Sequence, residues 1–263
     1  MQFNLTPVVR NLLILNIAVF FLQNIFPLLE NYLGLRYVRA ETFAPYQFLT
    51  YMFAHGSVGH LFGNMFALFM FGPLLEQSWG PKRFLIFYLL TGVGAGVLYE
   101  GIKFYEIHQL QQAFESFVQN PVPERFFSFV SQNPGLYVDA EDRGFSEQFA
   151  DHATDPTYIR ESIVRAGNRF WAFANVPMVG ASGAVFGLLM AFGLLFPNTE
   201  LFLLFIPFPI KAKYFVGLYG VYELYAGIQR APGDNVAHFA HLGGMLFAFI
   251  IIKYWNSQRN NLY

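Results

Sequence analysis

The chain has 263 residues, 55% of them hydrophobic and 13% charged, with 33 Phe, a balance that belongs to membrane proteins rather than soluble domains. A formal net charge of -1 offers nucleic acid no basic face, so polyanion binding has no electrostatic basis. Without cysteine there is no disulfide, no thiolate nucleophile and no Cys-ligated metal site.

Six windows approach the roughly 20 apolar residues that span a bilayer, at about 8–29, 57–78, 83–102, 179–196, 209–229 and 236–254. No A-x-A-like cleavage site follows the first, which reads as a retained helix rather than a signal peptide. With the N-terminus inside, the inner short loops collect Arg10, Lys82, Arg83, Lys211, Lys213, Lys253 and Arg259, against Arg36, Arg39 and Arg230 outside. The bias of basic residues toward the inner side places both termini in the cytoplasm. The expected fold is therefore an all-α polytopic membrane protein with three units: spans one to three with the first loop (1–102), an extracytoplasmic helical insert (103–175), and spans four to six (176–263).

The insert reads as short amphipathic helices, with Ile107, Leu110, Phe114, Phe117 and Val118 at helical spacing. Ser116 to Pro121 and Ser128 to Pro134 each end in Asn-Pro, a helix stop. Asp155-Pro156 is an N-cap and first-turn pair for a helix near 158–165. Its role is open between a packed cap and a lid or substrate-recruiting surface.

Ionisable side chains cost at least about 2.5 to 3.5 kcal/mol at the bilayer centre, so each needs a partner or a use. His55 precedes the second window, His60 and Asn64 share a helical face inside it, and His238 and His241 open the sixth. Ser182 opens the fourth, flanked by Gly180 and Gly183. The starts of windows two, four and six lie toward one side of the membrane, so these residues fall at a similar depth. Gly183 and Gly187 have the small-xxx-small spacing by which membrane helices pack closely. They are expected to bring the sixth helix near enough for His241 to reach Ser182.

A serine hydroxyl is a weak nucleophile and needs a base, which a neutral imidazole supplies. His241 is the candidate, with His238 one turn earlier as its competitor. His60, Asn64 and the Ser182 backbone N–H are candidate donors to a developing oxyanion. No Asp or Glu is placed to complete a triad, so a Ser-His dyad is expected, with Phe186, four residues after Ser182, packing against the imidazole. Glu223 in the fifth window is left open between a hydrogen bond to a neighbouring helix and a role in gating or hydrating the site. No window carries His-Glu-x-x-His, and neither a metal nor a cofactor is expected.

These motifs resemble those of the rhomboid intramembrane serine proteases. Gly180-Ala181-Ser182-Gly183 is similar to their G-x-S-G, and Ala240-His241-Leu242-Gly243-Gly244 to their A-H-x-x-G. His55 with His60-Leu61-Phe62-Gly63-Asn64 resembles their H-x-x-x-x-H-x-x-x-N, and Glu76 to Gly80 their E-x-x-x-G. The resemblance covers roughly 45–101 and 179–255. It implies a six-helix core that hydrolyses peptide bonds in or beside transmembrane helices, opening to the extracytoplasmic side. Ser182 would be the nucleophile, His241 the base, and His60, Asn64 and the Ser182 amide the oxyanion hole. Its implied partners are transmembrane protein substrates and the lipid bilayer, with no nucleic acid and no metal. Tyr46-Gln47 stands where many members carry Trp-Arg, Ala248 where a second Gly is usual, and the insert has no counterpart. A bacterial plasma membrane is the expected location.

Overall fold

Helix α1 (Pro7–Ile25) starts at a proline, whose fixed φ suits a first helical turn. Its free N-terminal amides find an acceptor far along the chain. The buried Glu76 carboxylate accepts from the Thr6 hydroxyl and from the amides of Val8 (3.1 Å) and Val9 (3.0 Å). A carboxylate at a helix N-terminus also meets the positive end of the helix dipole. Glu76 thereby ties the start of α1 to the end of α4 (Val58–Trp79).

A computed structural model describes residues 5–132, 140–202, 208–229, 234 and 236–260. Between α1 and α4 the first loop forms α2 (Leu29–Leu33), α3 (Gln47–Thr50) and a 3₁₀ turn (Tyr51–Phe53). The Ser57 side chain caps α4 by accepting from the His60 amide. Gly80, at φ +81°, ends α4 in a conformation that favours glycine, and Pro81 starts the next helix at once.

That next helix, α5 (Pro81–Gln119), continues through the expected boundary at 103. It runs 39 residues without a break, about 58 Å at 1.5 Å per residue and so roughly twice the hydrocarbon thickness. The sequence from Lys103 to Gln119 contains neither Gly nor Pro, and the helix stops at the expected Asn120-Pro121. Its far half carries α6 (Pro123–Gln132), α7 (Ala140–Asp151) and α8 (Pro156–Asn175). Together they close a separate core around Phe117, Phe126, Phe129, Phe149 and Phe170. Ile107, Leu110 and Phe117 are buried there and Phe114 packs against them, whereas Val118 is exposed, contrary to the expected apolar face. Asp155 caps α8 by accepting from the Thr157 amide, and the helix continues well past 165. Asn133-Pro134 and Arg230 lie outside the described residues.

The chain returns to the first core through α9 (Ser182–Leu195), the short antiparallel pair β1 (Glu200–Leu201) and β2 (Ile210–Lys211), α10 (Ala212–Gln229) and α11 (His238–Asn260). By length and apolarity, α1, α4, α5 and residues 238–258 of α11 are each able to cross a membrane. Helix α9, at 14 residues, is about 21 Å long, and α10 carries Lys213 and Glu223. Phe21, Ile25, Phe62, Leu218, Val221 and Ile228 point outward, as expected where lipid rather than water is the solvent. The protein is an all-α polytopic membrane protein.

Helix α9 sits in the middle, packed on α11, α5, α4 and α10. Glycines set how closely. A methyl group at Gly244 would overlap the Gly183 carbonyl, so the backbones of α11 and α9 touch there. The expected division of labour is corrected in one respect. Gly187 faces Thr91 of α5, 2.7 Å from where its Cβ would lie, and Gly183 likewise faces Ala95 at 2.5 Å. The α9–α11 approach is thus made by Gly244 against the Gly183 carbonyl, and Gly187 admits α5. Ala248 is fully buried in the same core. Gly244→Ala should destabilise the fold by about 1–3 kcal/mol through overpacking. Thermal unfolding in detergent checks this, and an unchanged melting temperature would show that α9 and α11 separate freely.

Candidate active site

The approach to Ser182 is built from main chain. Leu35 and Met178 pair as an antiparallel bridge, with amide-to-carbonyl bonds of 2.9 and 2.8 Å. The Gly180 amide donates to the Tyr51 carbonyl at 2.9 Å, and the Tyr51 hydroxyl to the Gly92 carbonyl at 2.7 Å. Gly180 sits at φ +125°, a region closed to most side chains. It turns the chain sharply, so that Ser182 is the first residue of α9.

A Cβ on Gly180 would meet His60 Cε1 at 2.5 Å and Nε2 at 2.6 Å, with Asn64 Nδ2 at 3.7 Å. Both side chains of α4 therefore press on the bend beside Ser182. The Asn64 amide nitrogen is buried with no acceptor among the described residues. His55 lies behind them: its amide donates to Gln23 Oε1 at 3.0 Å, and its Nε2 accepts from the Ala181 amide at 3.5 Å. The rings of His55 and His60 meet edge-on at 5.1 Å.

Ser182 Oγ lies 2.8 Å from His241 Nε2, across 59 residues of sequence. Phe186 stacks on the imidazole, with ring centroids 4.1 Å apart and planes at 6°. Tyr219 of α10 also packs on Phe186, with ring centroids 4.9 Å apart. The ring of His241 is thus clamped in plane by aromatic contact as well as hydrogen-bonded.

The structure corrects one expectation about this site. A carboxylate is present: Glu223 Oε2 lies 2.8 Å from His241 Nδ1, and both residues are buried. A carboxylate only accepts, so Nδ1 carries the proton and the Nε2 lone pair of the neutral ring faces the Ser182 hydroxyl. The same Oε2 lies 2.6 Å from His238 Nδ1, and His238 Nε2 lies 3.0 Å from Asp234 Oδ2. His238 therefore points into Glu223 and Asp234, not at Ser182.

The sequence signal for Glu223 was its cost, since an ionisable residue inside an apolar window needs a partner. The structure puts it in the buried stripe of α10 with Ala212, Val216, Ala226 and Gly227. At the end of that stripe a Cβ on Gly227 would come within 3.1 Å of His238 Cβ, which shows how closely α10 and α11 meet. Glu223, His238 and His241 each also offer one ligand atom within 4.8 Å of the others, the composition of a cation site.

The Rhomboid domain family model matches residues 42–107 and 157–257. An uncharacterized mitochondrial rhomboid protein of Schizosaccharomyces pombe is 26% identical over 225 residues, covering 81% of this chain and 51% of the relative. The mitochondrial RHOMBOID-like protein 12 of Arabidopsis thaliana is 26% identical over 252 residues, covering 92% and 56%. The chloroplastic Rhomboid-like protein 11 of the same plant is 43% identical over 53 residues, 20% and 19% of the two chains. The chain thus spans about half the length of the two longer matches. These organellar relatives overturn the bacterial plasma membrane expected from sequence.

The Asp234 carboxyl is held below its usual range, first by the hydrogen bond from His238 and then by the Val236 amide. A carboxyl depressed on folding adds stability above its unfolded pKa and loses it as pH falls through the folded value. Asp234→Asn should therefore lower the melting temperature at about pH 7 and leave it unchanged at about pH 2. Melting curves across that range check this. An equal change at both ends would show that the Asp234–His238 pair is not coupled to folding.

Proposed function

The chain belongs to the rhomboid family, and from that premise we propose that it is an intramembrane serine endopeptidase, cutting peptide bonds in or beside the transmembrane helices of membrane proteins. The observation that carries the reading is the 2.8 Å contact between Ser182 Oγ and His241 Nε2. The site sits on two helices that share a backbone contact at Gly183 and Gly244.

In this reading His241 Nε2 takes the Ser182 proton as Oγ attacks the scissile carbonyl, forming a tetrahedral intermediate. The same proton then passes to the leaving amine, the C–N bond breaks, and an acyl-enzyme remains on Ser182. Water, deprotonated by His241, releases the acid product and restores the hydroxyl. The oxyanion is held by the Ser182 amide, which is free of an intrahelical partner at the first turn of α9, and by His60 and Asn64. The buried amide nitrogen of Asn64, without an acceptor among the described residues, supports that role.

We further read α1, α4, α5, α9, α10 and α11 as a six-helix membrane core. The second hydrophobic core, on the far half of α5, supports treating α6 to α8 as an insert between residues 103 and 175. Its companion units are residues 1–102 and 176–263. We propose a mitochondrial membrane as its location, a reading that the names of the two long matches support.

The experiment is cleavage of a panel of single-span substrates by the chain reconstituted in vesicles, together with covalent labelling by a fluorophosphonate. Ser182→Ala should abolish both, and equal cleavage by wild type and Ser182→Ala would reject the reading. Asn64→Ala should lower turnover by a factor of about 10² to 10³ if it donates to the oxyanion. Unchanged turnover removes Asn64 from that role.

A further inference from the structure

A dyad leaves Glu223 unexplained, although it is among the most deeply buried ionisable groups of the first core, at 2% exposure. An isolated carboxylate is too costly to keep there without partners. Its partners are two imidazoles, both meeting one oxygen: Oε2 is 2.6 Å from His238 Nδ1 and 2.8 Å from His241 Nδ1. We infer that Glu223 is a positioning residue for His241, completing a Ser182–His241–Glu223 triad, and that His238 and Asp234 hold Glu223 in place. This inference rests on the serine protease reading.

The proton count supports the assignment. His238 has a carboxylate oxygen at each ring nitrogen, Glu223 Oε2 at Nδ1 and Asp234 Oδ2 at Nε2. Both are acceptors, so both nitrogens donate and the ring is an imidazolium. The cluster of Asp234, His238 and Glu223 thus carries one net negative charge beside a neutral His241. When Ser182 Oγ forms its bond to the carbonyl carbon, its proton moves to His241 Nε2, and the imidazolium so formed stands against that negative charge. Glu223 keeps its charge throughout. It fixes the tautomer in which Nε2 faces Ser182 and stabilises the cation that develops, as a buried carboxylate does in other serine proteases. Phe186 holds the ring by its face, and Glu223 holds it by its edge.

The rival use of the same residues is metal binding. Two ring nitrogens sharing one carboxylate oxygen at 2.6 and 2.8 Å is the pattern of an acceptor taking two N–H donors. In a metal site each donor atom is instead aimed at a common centre at about 2.0–2.2 Å. The remaining titratable groups nearby are Tyr219 and Tyr222 of α10, which lie against the rings of Phe186 and His238, and His60 of α4. Among the described contacts none of the three bonds to a His241 nitrogen.

The test measures kcat and KM against pH for the full chain in vesicles with a cleavable single-span substrate, alongside fluorophosphonate labelling and melting temperature. Glu223→Gln should lower kcat by about 10² to 10⁴, the upper figure being the cost of the isosteric change in a Ser-His-Asp enzyme. KM should hold within about twofold, because the lost interaction belongs to the transition state. The acidic limb of the kcat profile should move to lower pH, since a cation without its carboxylate is less stable. Glu223→Asp, which keeps the charge, should recover part of the rate. If Glu223→Gln also lowers the melting temperature, the limb decides for it and for Glu223→Asp, because a merely structural loss leaves the limb unmoved and overturns the inference. A Glu223→Gln rate and profile matching wild type overturns the inference and leaves the protease reading intact. Wild type that neither cleaves nor labels at Ser182 overturns both. Loss of wild-type activity on adding EDTA would make these residues metal ligands and overturn the inference as well.

Discussion

The backbone contact between α9 and α11 is the constraint on which the rest depends. Gly244 lets α11 touch the Gly183 carbonyl of α9, where any larger residue at 244 would hold the two helices apart. In lipid there is no hydrophobic gain from pressing two apolar helices together, so close van der Waals contact has to supply the attraction. The same contact sets the separation of Ser182 and His241, one residue before Gly183 and three before Gly244. Packing and chemistry are therefore one geometric requirement at this point in the molecule.

Around that contact the structure spends its buried polar groups sparingly, and each of the principal ones is tied to an element that positions the site. Glu76 caps α1 and fixes it to the end of α4. Gln23 of α1 holds the His55 amide, and His55 meets the Ala181 amide at the entry to α9. Glu223 reaches across from α10 to α11. A membrane interior leaves such groups no water to fall back on, so each links two helices that apolar packing alone would leave free to slide.

Helix α5 gives the fold its second feature. Because nothing in its sequence breaks the helix before Asn120, it serves both the first core and the aromatic core of α6 to α8. The first loop reaches the same region, where Arg36 donates to the Asn175 carbonyl at 2.7 Å, and Lys103 of α5 donates to the Phe173 carbonyl at 2.8 Å. The segment that leads into Ser182 is thus held between the two cores.

Much of this was legible in one dimension. Apolar windows, helix caps at Asp155, the stop at Asn120 and the small-residue spacing around Ser182 all act locally, through propensity and period, and the sequence carries that information directly. The residue types of the site were legible too, because histidine and asparagine at membrane depth are expensive and so stand out. What only the tertiary structure decided is which partners those residues have. That Gly187 admits α5 while Gly244 admits α9, that α5 runs on past 103, and that Glu223 takes the far nitrogen of His241 all depend on helix rotations set by packing against several neighbours at once. Spacing along one helix shows which face a residue occupies. It does not show what stands opposite that face, and the carboxylate beside His241 was hidden for that reason.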